Sequence, residues 1–318
     1  MSPGGGSRKV GATIAAIALV LVVGALGFYY ARNPERKTLD DAERRNAAGK
    51  VVRLSDGVTH YDVAGPDSGR TIVLVHGFSV PYYIWDSTAA SLAKAGYRVV
   101  RYDEYGRGLS DRPKTRYIDD LYDRQLTELL DSLRITERVD LAGVSMGGAV
   151  TGMFAGRHPK RVRSLTLVDP VAGTSGSQGM FGWPVIGAYL WQTLAVPKMD
   201  EGQASDFVDP TKFPDWAERY RVQMKYRGFG RALLSHRVER SGMQLDTLYQ
   251  RVARASIPVL LLWGKEDHTV PFELSASVRG AIPAAEFHAI DGVGHLPILE
   301  KAALSDSLIL AFLARQSR

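Results

Sequence analysis

The sequence predicts an α/β protein with a mostly parallel sheet, helices on both faces and an inserted helical cap. Three observations support this. Short apolar runs rich in β-branched residues alternate with helix-like segments over 51–170 and 255–318, as in repeated strand–helix units. One strand-to-helix junction carries Gly143-Val144-Ser145-Met146-Gly147. The alternation is interrupted over 171–254, where aromatic residues and prolines are frequent.

The N-terminal region, residues 1–31, predicts a membrane segment. Val10 to Tyr30 is uncharged and apolar, and as a helix it would cross roughly 30 Å of hydrocarbon. A single-pass anchor is favoured, and a cleaved signal peptide is the alternative because Ala25-Leu26-Gly27 resembles a cleavage site. Basic residues flank both ends, but the short basic N-terminus favours a membrane protein whose folded domain lies outside the cytoplasm.

Composition excludes several classes of function. The 318 residues carry a net charge of +6, and much of this excess lies within the first 50 residues, around the apolar segment. Such basicity does not indicate a phosphate-binding face, so a nucleic-acid partner is not expected. The absence of cysteine excludes disulfides, thiolate metal ligands and a cysteine nucleophile. Nothing in the composition indicates the oligomeric state.

The order of elements predicts an antiparallel start followed by parallel strands. Residues 32–50 are polar and predict a tether or a short exposed helix. Strands over 51–55 and 58–64 are joined by Asp56-Gly57, a hairpin signal. The later predicted strands cover 71–75, 97–103, 138–142, 162–169, 257–263 and 285–290, and the main predicted helices cover 82–94, 118–133, 271–279 and 301–315.

The interruption over 171–254, here called the cap, predicts a helical insertion above the carboxyl ends of the strands. Its aromatic residues include Trp183, Trp191, Trp216, Tyr220 and Phe229. Most of them are expected to form the core of the cap itself. A few are expected to line an apolar acyl pocket, and the sequence does not indicate which ones.

Gly143–Gly147 has the pattern of a nucleophile elbow, in which a serine sits on a sharp turn between strand and helix. Only small residues fit beside such a turn. The turn lifts the Ser145 hydroxyl clear of the sheet and directs the Met146 N–H to the same point. The pentapeptide alone is also compatible with a glycine-rich turn without chemistry, so the prediction depends on partners elsewhere.

A serine nucleophile needs a base that is oriented by an acid. Asp267 and His295 follow two successive predicted strands, in the chain order serine, acid, histidine that this arrangement requires. We predict that His295 is the general base and Asp267 the acid. Glu266 and Asp169 are the alternative acids, and His268 is interpreted as a loop residue.

The segment His76-Gly77-Phe78 follows the buried strand over 71–75. The backbone N–H groups of Phe78 and Met146 are predicted to form the oxyanion hole. His76 is interpreted as structural, and so is Asp103, as a turn-stabilising carboxylate. The sequence suggests no partner for His60, His158 or His288.

Together these motifs resemble the α/β-hydrolase family. The matching positions are His76-Gly77-Phe78, Asp103-x-x-Gly106-x-Gly108-x-Ser110, Gly143-x-Ser145-Met146-Gly147-Gly148, Trp263-Gly264-x-x-Asp267-x-x-x-Pro271 and Gly294-His295. The resemblance covers about 50–315 and is closest to the monoacylglycerol-lipase-like and esterase members with a helical cap. It implies an eight-stranded sheet and a serine hydrolase that needs neither a metal nor an organic cofactor. Serine at the elbow argues against the family members that use an aspartate nucleophile there.

The sequence therefore predicts a membrane-anchored serine hydrolase of carboxylic esters, with a lipid-like substrate such as a monoacylglycerol. Two alternatives retain the same triad: hydrolysis of a carbon–carbon bond, or a perhydrolase reaction. A third is a ligand sensor that turns over slowly. The sequence does not indicate the acyl chain or the alcohol.

Overall fold

A twisted sheet of eight strands forms the centre of the protein in the computed structural model, which describes residues 5–174, 176–240, 242 and 245–316. The strand order is β1-β2-β4-β3-β5-β6-β7-β8. Strand β2 runs antiparallel to both of its neighbours, and the pairs from β4 to β8 are parallel. The strands are β1 Lys50–Leu54, β2 Gly57–Ala64, β3 Thr71–Val75, β4 Arg98–Tyr102, β5 Val139–Val144, β6 Val162–Val168, β7 Val259–Gly264 and β8 Glu286–Ile290. The predicted fold class is confirmed.

Helices cover both faces of this sheet. Those described are α1 Gly5–Arg32, α2 Asp41–Arg45, α3 Asp86–Lys94, α4 Asp119–Ser132, α5 Met146–Arg157, α6 Ile186–Leu190, α7 Met199–Gly202, α8 Trp216–Met224, α9 Phe229–Glu239, α10 Asp246–Arg254, α11 Ser275–Ala281, α12 Pro297–Glu300 and α13 Ala302–Arg315. Helices α4, α5, α10 and α11 pack in one layer, and α3, α12 and α13 in the other.

Strand β3 explains why the central strands are apolar along their whole length. All five of its residues are buried. Ile72 and Leu74 point into the core beneath α3 and α13, whereas Val73 and Val75 point into the core beneath α4 and α5. A strand covered on both faces has no position for a polar side chain facing water, which produces a continuous apolar run.

Between β6 and β7 the chain forms the helices α6 to α10, within the range predicted as the cap. The aromatic residues Trp191, Trp216, Tyr220 and Phe229 are buried in one cluster, which also contains residues of the sheet, α3 and α13. Helix α10 behaves differently, because it packs against α5 and α11 in the layer on the sheet. Its buried residues Tyr249 and Val252 belong to the core on the opposite face of the sheet.

The segment over 32–50 lies against the cap. The Glu35 carboxylate accepts hydrogen bonds from the N–H groups of Gly228 at 2.6 Å and Gly230 at 2.7 Å, at the start of α9. Arg44 is buried, donates to the carbonyl of Leu109 at 3.0 Å and pairs with Asp111. This polar segment is therefore tied to the folded domain by hydrogen bonds and ion pairs, which its composition alone did not predict.

Helix α1 is apolar and lies outside the core. Lys9–Arg32 is long and apolar enough to cross a membrane, a property that anchors and signal sequences share. Its exposed apolar side chains would be costly in water and favourable in hydrocarbon.

Candidate active site

Ser145 lies in the sharp turn between β5 and α5. Its backbone has φ 55° and ψ −121°, a conformation that non-glycine residues rarely adopt. The glycines on either side have no room for a side chain. A Cβ on Gly143 would lie 2.2 Å from the carbonyl oxygen of Gly147, and one on Gly147 would lie 2.4 Å from that of His76. The spacing of the motif therefore follows from the close approach of strand, helix and the neighbouring loop.

His295 and Asp267 are in direct contact. The Nδ1 atom of His295 lies 2.7 Å from Oδ2 of Asp267, and both residues are buried. The other oxygen of Asp267 accepts hydrogen bonds from the N–H groups of Thr269 and Val270, each at 2.8 Å. These bonds fix the carboxylate so that one oxygen faces the imidazole.

The environment of His295 favours its charged form. Burial acts to lower the pKa of the imidazole, but the hydrogen bond that His295 donates to Asp267 and the negative charge of Asp267 outweigh burial, so the pKa is raised above 6.5. With Nδ1 turned to Asp267, the free Nε2 is the nitrogen available for proton transfer.

Ser145 and His295 line the same cavity, which has a volume of about 210 Å³ and also includes Gly77 and Phe78. A second cavity of about 380 Å³ adjoins it, because Phe78 and Thr269 line both. Met146 lines the second cavity. The structure thus brings together all five residues predicted for the site.

A further cavity of about 370 Å³ lies apart from this centre. It is lined by Tyr82, Tyr83 and Arg101, among others, and by none of the five predicted residues.

The two residues predicted for the oxyanion hole are joined through a buried arginine. Arg107 donates from Nε to the carbonyl oxygen of Phe78 at 2.8 Å, and its Nη2 lies 3.7 Å from Sδ of Met146. It also donates to the hydroxyl of Tyr122 at 2.9 Å. Because Met146 opens α5, its N–H has no acceptor within the helix. Arg107 therefore links the Phe78 loop to the start of α5, and no signal in the sequence indicated this role.

Of the alternative acids, Glu266 faces a backbone group, accepting from the N–H of Val293 at 2.9 Å. Asp169 lies closer to the centre. It is buried, has φ 42° and accepts from the N–H of Gly264 at 2.8 Å. Burial, followed by the charge of Asp267, raises the pKa of Asp169 well above its usual range. The charged form of Asp169 is therefore disfavoured, and Asp267 is the carboxylate that contacts the histidine.

Asp169, Asp267 and His295 place their possible ligand atoms within 4.8 Å of one another. A metal ion needs separate lone pairs from each ligand at about 2.0–2.2 Å. The 2.7 Å contact between His295 and Asp267 leaves no room for an ion between them. This geometry fits a hydrogen-bonded catalytic pair better than a metal site.

His76 is structural, as interpreted from the sequence. Its Nδ1 lies 2.8 Å from the carbonyl oxygen of Gly77, and its Nε2 accepts from the N–H of Glu104 at 2.9 Å. Burial lowers the pKa of His76 to about 4 and raises that of Glu104 to about 8. Although His76 lies 3.9 Å from a Glu104 oxygen, both groups are neutral near pH 7 and do not form an ion pair.

Each of the three histidines for which the sequence suggests no partner contacts a carboxylate. His60 contacts Asp103 at 2.8 Å, His158 contacts Asp123 at 3.0 Å, and His288 contacts Glu286 at 2.9 Å. His268 is exposed. Asp103 also accepts from the N–H groups of Tyr82 and Leu109, as expected for a turn-stabilising carboxylate.

Comparison with known proteins agrees with the fold. The model of the alpha/beta hydrolase fold family matches residues 70–302. A 2-hydroxy-6-oxononadienedioate/2-hydroxy-6-oxononatrienedioate hydrolase of Paraburkholderia phymatum is 29% identical over 288 residues, covering 85% of this chain and 96% of its own. Lipase 3 of a Moraxella species is 29% identical over 243 residues, covering 73% of this chain and 74% of its own.

Among solved structures, the enol-lactonase from Burkholderia xenovorans superimposes with a TM-score of 0.73 at 22% identity, covering 83% of this chain and all of its own. At this identity the likeness concerns the fold. The family match spans most of the chain, and the Paraburkholderia phymatum and Moraxella relatives are named as a hydrolase and a lipase. The protein is a hydrolase and belongs to the alpha/beta hydrolase fold family.

Proposed function

We propose that this protein hydrolyses carboxylic esters, with Ser145 as nucleophile, His295 as general base and Asp267 as the acid that orients it. One observation carries the proposal: the imidazole held at 2.7 Å by Asp267 lines the same cavity as a serine on a strained strand-to-helix turn. A serine hydroxyl becomes a useful nucleophile when such a base takes its proton.

The reaction proceeds in two halves. Ser145 Oγ attacks the ester carbonyl carbon while its proton passes to Nε2 of His295, and Asp267 stabilises the imidazolium. The N–H groups of Phe78 and Met146 receive the negative charge on the carbonyl oxygen. The alcohol leaves with the proton from His295, which yields an acyl-enzyme. Water then attacks this acyl carbon, gives its proton to His295, and the carboxylic acid is released as the proton returns to Ser145.

The substrate is proposed to be lipid-like, such as a monoacylglycerol. The cavity of about 380 Å³ beside Met146 is lined by Val171, Ala172, Leu245 and Leu274, among others, which suits an acyl chain. The apolar helix α1 supports a single-pass membrane anchor, and its short basic N-terminus supports an extracytoplasmic domain.

A fluorophosphonate probe and a panel of p-nitrophenyl esters test this proposal. Wild-type protein should be labelled rapidly and turn over repeatedly, with higher kcat/KM on medium and long acyl chains than on acetate. Ser145→Ala should lose both labelling and turnover. A steep preference for acetate would contradict the lipid-like substrate. Labelling without multiple turnover on any ester would contradict the enzyme and favour a ligand sensor.

A second candidate is hydrolysis of a carbon–carbon bond. The Paraburkholderia phymatum relative is named for a dioate substrate, and Arg237 and Arg240 line the larger cavity, where a carboxylate would find basic groups. Assaying a 2-hydroxy-6-oxodienoate by loss of its absorbance, beside the ester panel, separates the two. Higher kcat/KM on the dienoate than on any ester would favour this candidate.

A further inference from the structure

The anchor and the cap touch each other. The Tyr189 hydroxyl donates to the carbonyl oxygen of Ala25 at 3.0 Å, and the rings of Tyr189 and Tyr29 stack with their centroids 6.1 Å apart. At the end of the helix, Arg32 donates to the carbonyl oxygen of Thr193 at 3.3 Å. At about 1.5 Å per residue, Ala25 lies about 10 Å before Arg32 along the helix axis. This part of the cap therefore lies beside the last two turns of α1.

Next to this contact the cap exposes large apolar side chains. Trp183, Val185 and Ile186 are 59%, 85% and 55% exposed, and Met180 is also exposed. We call residues Met180–Ile186 the apolar tip. The tip leads directly into α6, which carries Tyr189. A cluster of exposed apolar side chains on a protein surface marks a site of contact with a membrane or with another protein.

The backbone of the tip is strained at Val185, its most exposed apolar residue. Val185 has φ 62° and ψ −57°, and the N–H of Ile186 donates to the carbonyl oxygen of Pro184 at 2.6 Å. This is a γ-turn with positive φ, rare and strained for any residue and more so for a β-branched one. In water the exposed side chain of Val185 contributes no favourable free energy of burial that would offset this strain. In hydrocarbon the burial of its side chain would offset it.

The charges at this end of α1 fit a membrane surface. Arg32 and Arg36 follow the apolar segment, and the Arg36 guanidinium lies 4.3 Å from the centre of the Tyr30 ring. Tyrosine and arginine are the side chains that favour the headgroup region, where an apolar body meets a charged layer. The apolar tip, the tyrosine contact and these arginines thus share one end of the molecule.

We propose that the apolar tip inserts into the same bilayer that α1 spans, so that the cap docks on the membrane surface. The proposal rests on the proposed membrane anchor. It also indicates from which side substrate would enter the site. Thr174 and Gly176, which lie shortly before the tip in the chain, line the cavity of about 380 Å³. The Gln178 side-chain amide donates to the carbonyl oxygen of Val238 in α9 at 3.2 Å. Lipid-like substrate would therefore enter the cavity from the bilayer.

Tryptophan fluorescence provides a direct test. Of the five tryptophans, Trp183 is exposed and the other four, Trp85, Trp191, Trp216 and Trp263, are buried. The full chain is reconstituted into phosphatidylcholine vesicles with and without bromine on the acyl chains. Brominated lipid should quench wild-type fluorescence, and Trp183→Phe should abolish most of that quenching. Equal quenching of the two proteins would overturn the proposal, as would a chain that fails to sediment with the vesicles.

A second pair of variants uses turnover. Val185→Ser with Ile186→Ser should lower, several-fold, the rate on a monoacylglycerol embedded in the vesicles and leave the rate on a water-soluble short ester unchanged. Leu304→Ser, an exposed apolar residue on α13, is the matched control and should affect neither rate. Equal vesicle rates in the tip variant and wild type would overturn the docking. If wild-type protein does not hydrolyse the water-soluble ester at all, the proposed ester hydrolysis is overturned instead. The quenching experiment does not depend on that activity.

Discussion

The main-chain N–H of His295 donates to the main-chain carbonyl of Asp206 at 2.8 Å, so the cap is hydrogen-bonded directly to the loop that carries the proposed base. The Asp206 carboxylate also accepts from the Thr269 hydroxyl at 2.6 Å, two residues from Asp267. Both loops that orient the proposed triad are therefore held by one turn of the cap. A displacement of this turn would change the geometry of base and acid together.

Glu300 strengthens this connection. Its two oxygens accept from the N–H of Val208 in the cap at 2.8 Å and from that of Gly294 at 2.7 Å. Glu300→Gln should remove one of these acceptors and reduce the free energy of unfolding by about 2 kcal/mol, with a lower kcat on a soluble ester. Chemical denaturation and steady-state kinetics measure the two effects. Glu218→Gln, an exposed change on α8, is the control, and equal behaviour of both variants would refute the role of Glu300.

The rate should depend on pH through His295. The imidazole must be neutral to accept the serine proton. Burial acts to lower its pKa, but the hydrogen bond that it donates to Asp267 raises the pKa above 6.5. We therefore expect kcat/KM to rise with pH, with a midpoint above 6.5. In Asp267→Asn the raising effect is lost while burial remains, so the midpoint should move to lower pH. An unchanged midpoint in that variant would contradict the proposed pair.

Asp169 and Asp267 should respond oppositely to the same substitution. Burial and the charge of Asp267 raise the pKa of Asp169 and so disfavour its charged form. Asp169→Asn keeps a side chain that can accept from Gly264 N–H and donate towards Asp267, so kcat should change little. Asp267→Asn removes the charge that supports the imidazolium and should cost about 10⁴-fold in kcat. Steady-state kinetics on one soluble ester compares them. The reverse ranking would show that Asp169 is the acid.

Glu104 should make the protein less stable as pH rises. Burial raises its pKa from 4.5 to about 8, so the folded protein holds this proton more tightly than the unfolded chain does. The resulting stability is fully present below pH 4.5 and is lost as pH rises towards 8. Glu104→Gln should therefore gain in Tm relative to wild type across that window, by roughly 2–4 °C per kcal/mol. For the exposed control Glu273→Gln, the difference in Tm from wild type should stay constant as pH changes. A constant difference in Tm for Glu104→Gln would contradict the prediction.

Local chemistry made much of the site predictable. The glycines around Ser145 are required by contacts closer than a Cβ permits, so the elbow leaves a short pattern in the chain. The carboxyl ends of parallel strands meet at one edge, which is why Asp267 and His295 could be predicted to lie near each other from their order. The polar partners of His60 and His158 lie 43 and 35 residues away, and no local pattern indicates such pairs.

The sequence by itself determined the alternation of strands and helices, the elbow and the order of the candidate triad, because each depends on neighbouring residues or on strand order. Only the tertiary structure shows that Asp267, and not Asp169, contacts the imidazole of His295, because that contact depends on how the loops after β6, β7 and β8 are arranged in space. It alone also joined Arg107 to the Phe78 loop, Glu300 to the cap and Tyr189 to α1. Those contacts join segments far apart in the chain, where spacing carries no information.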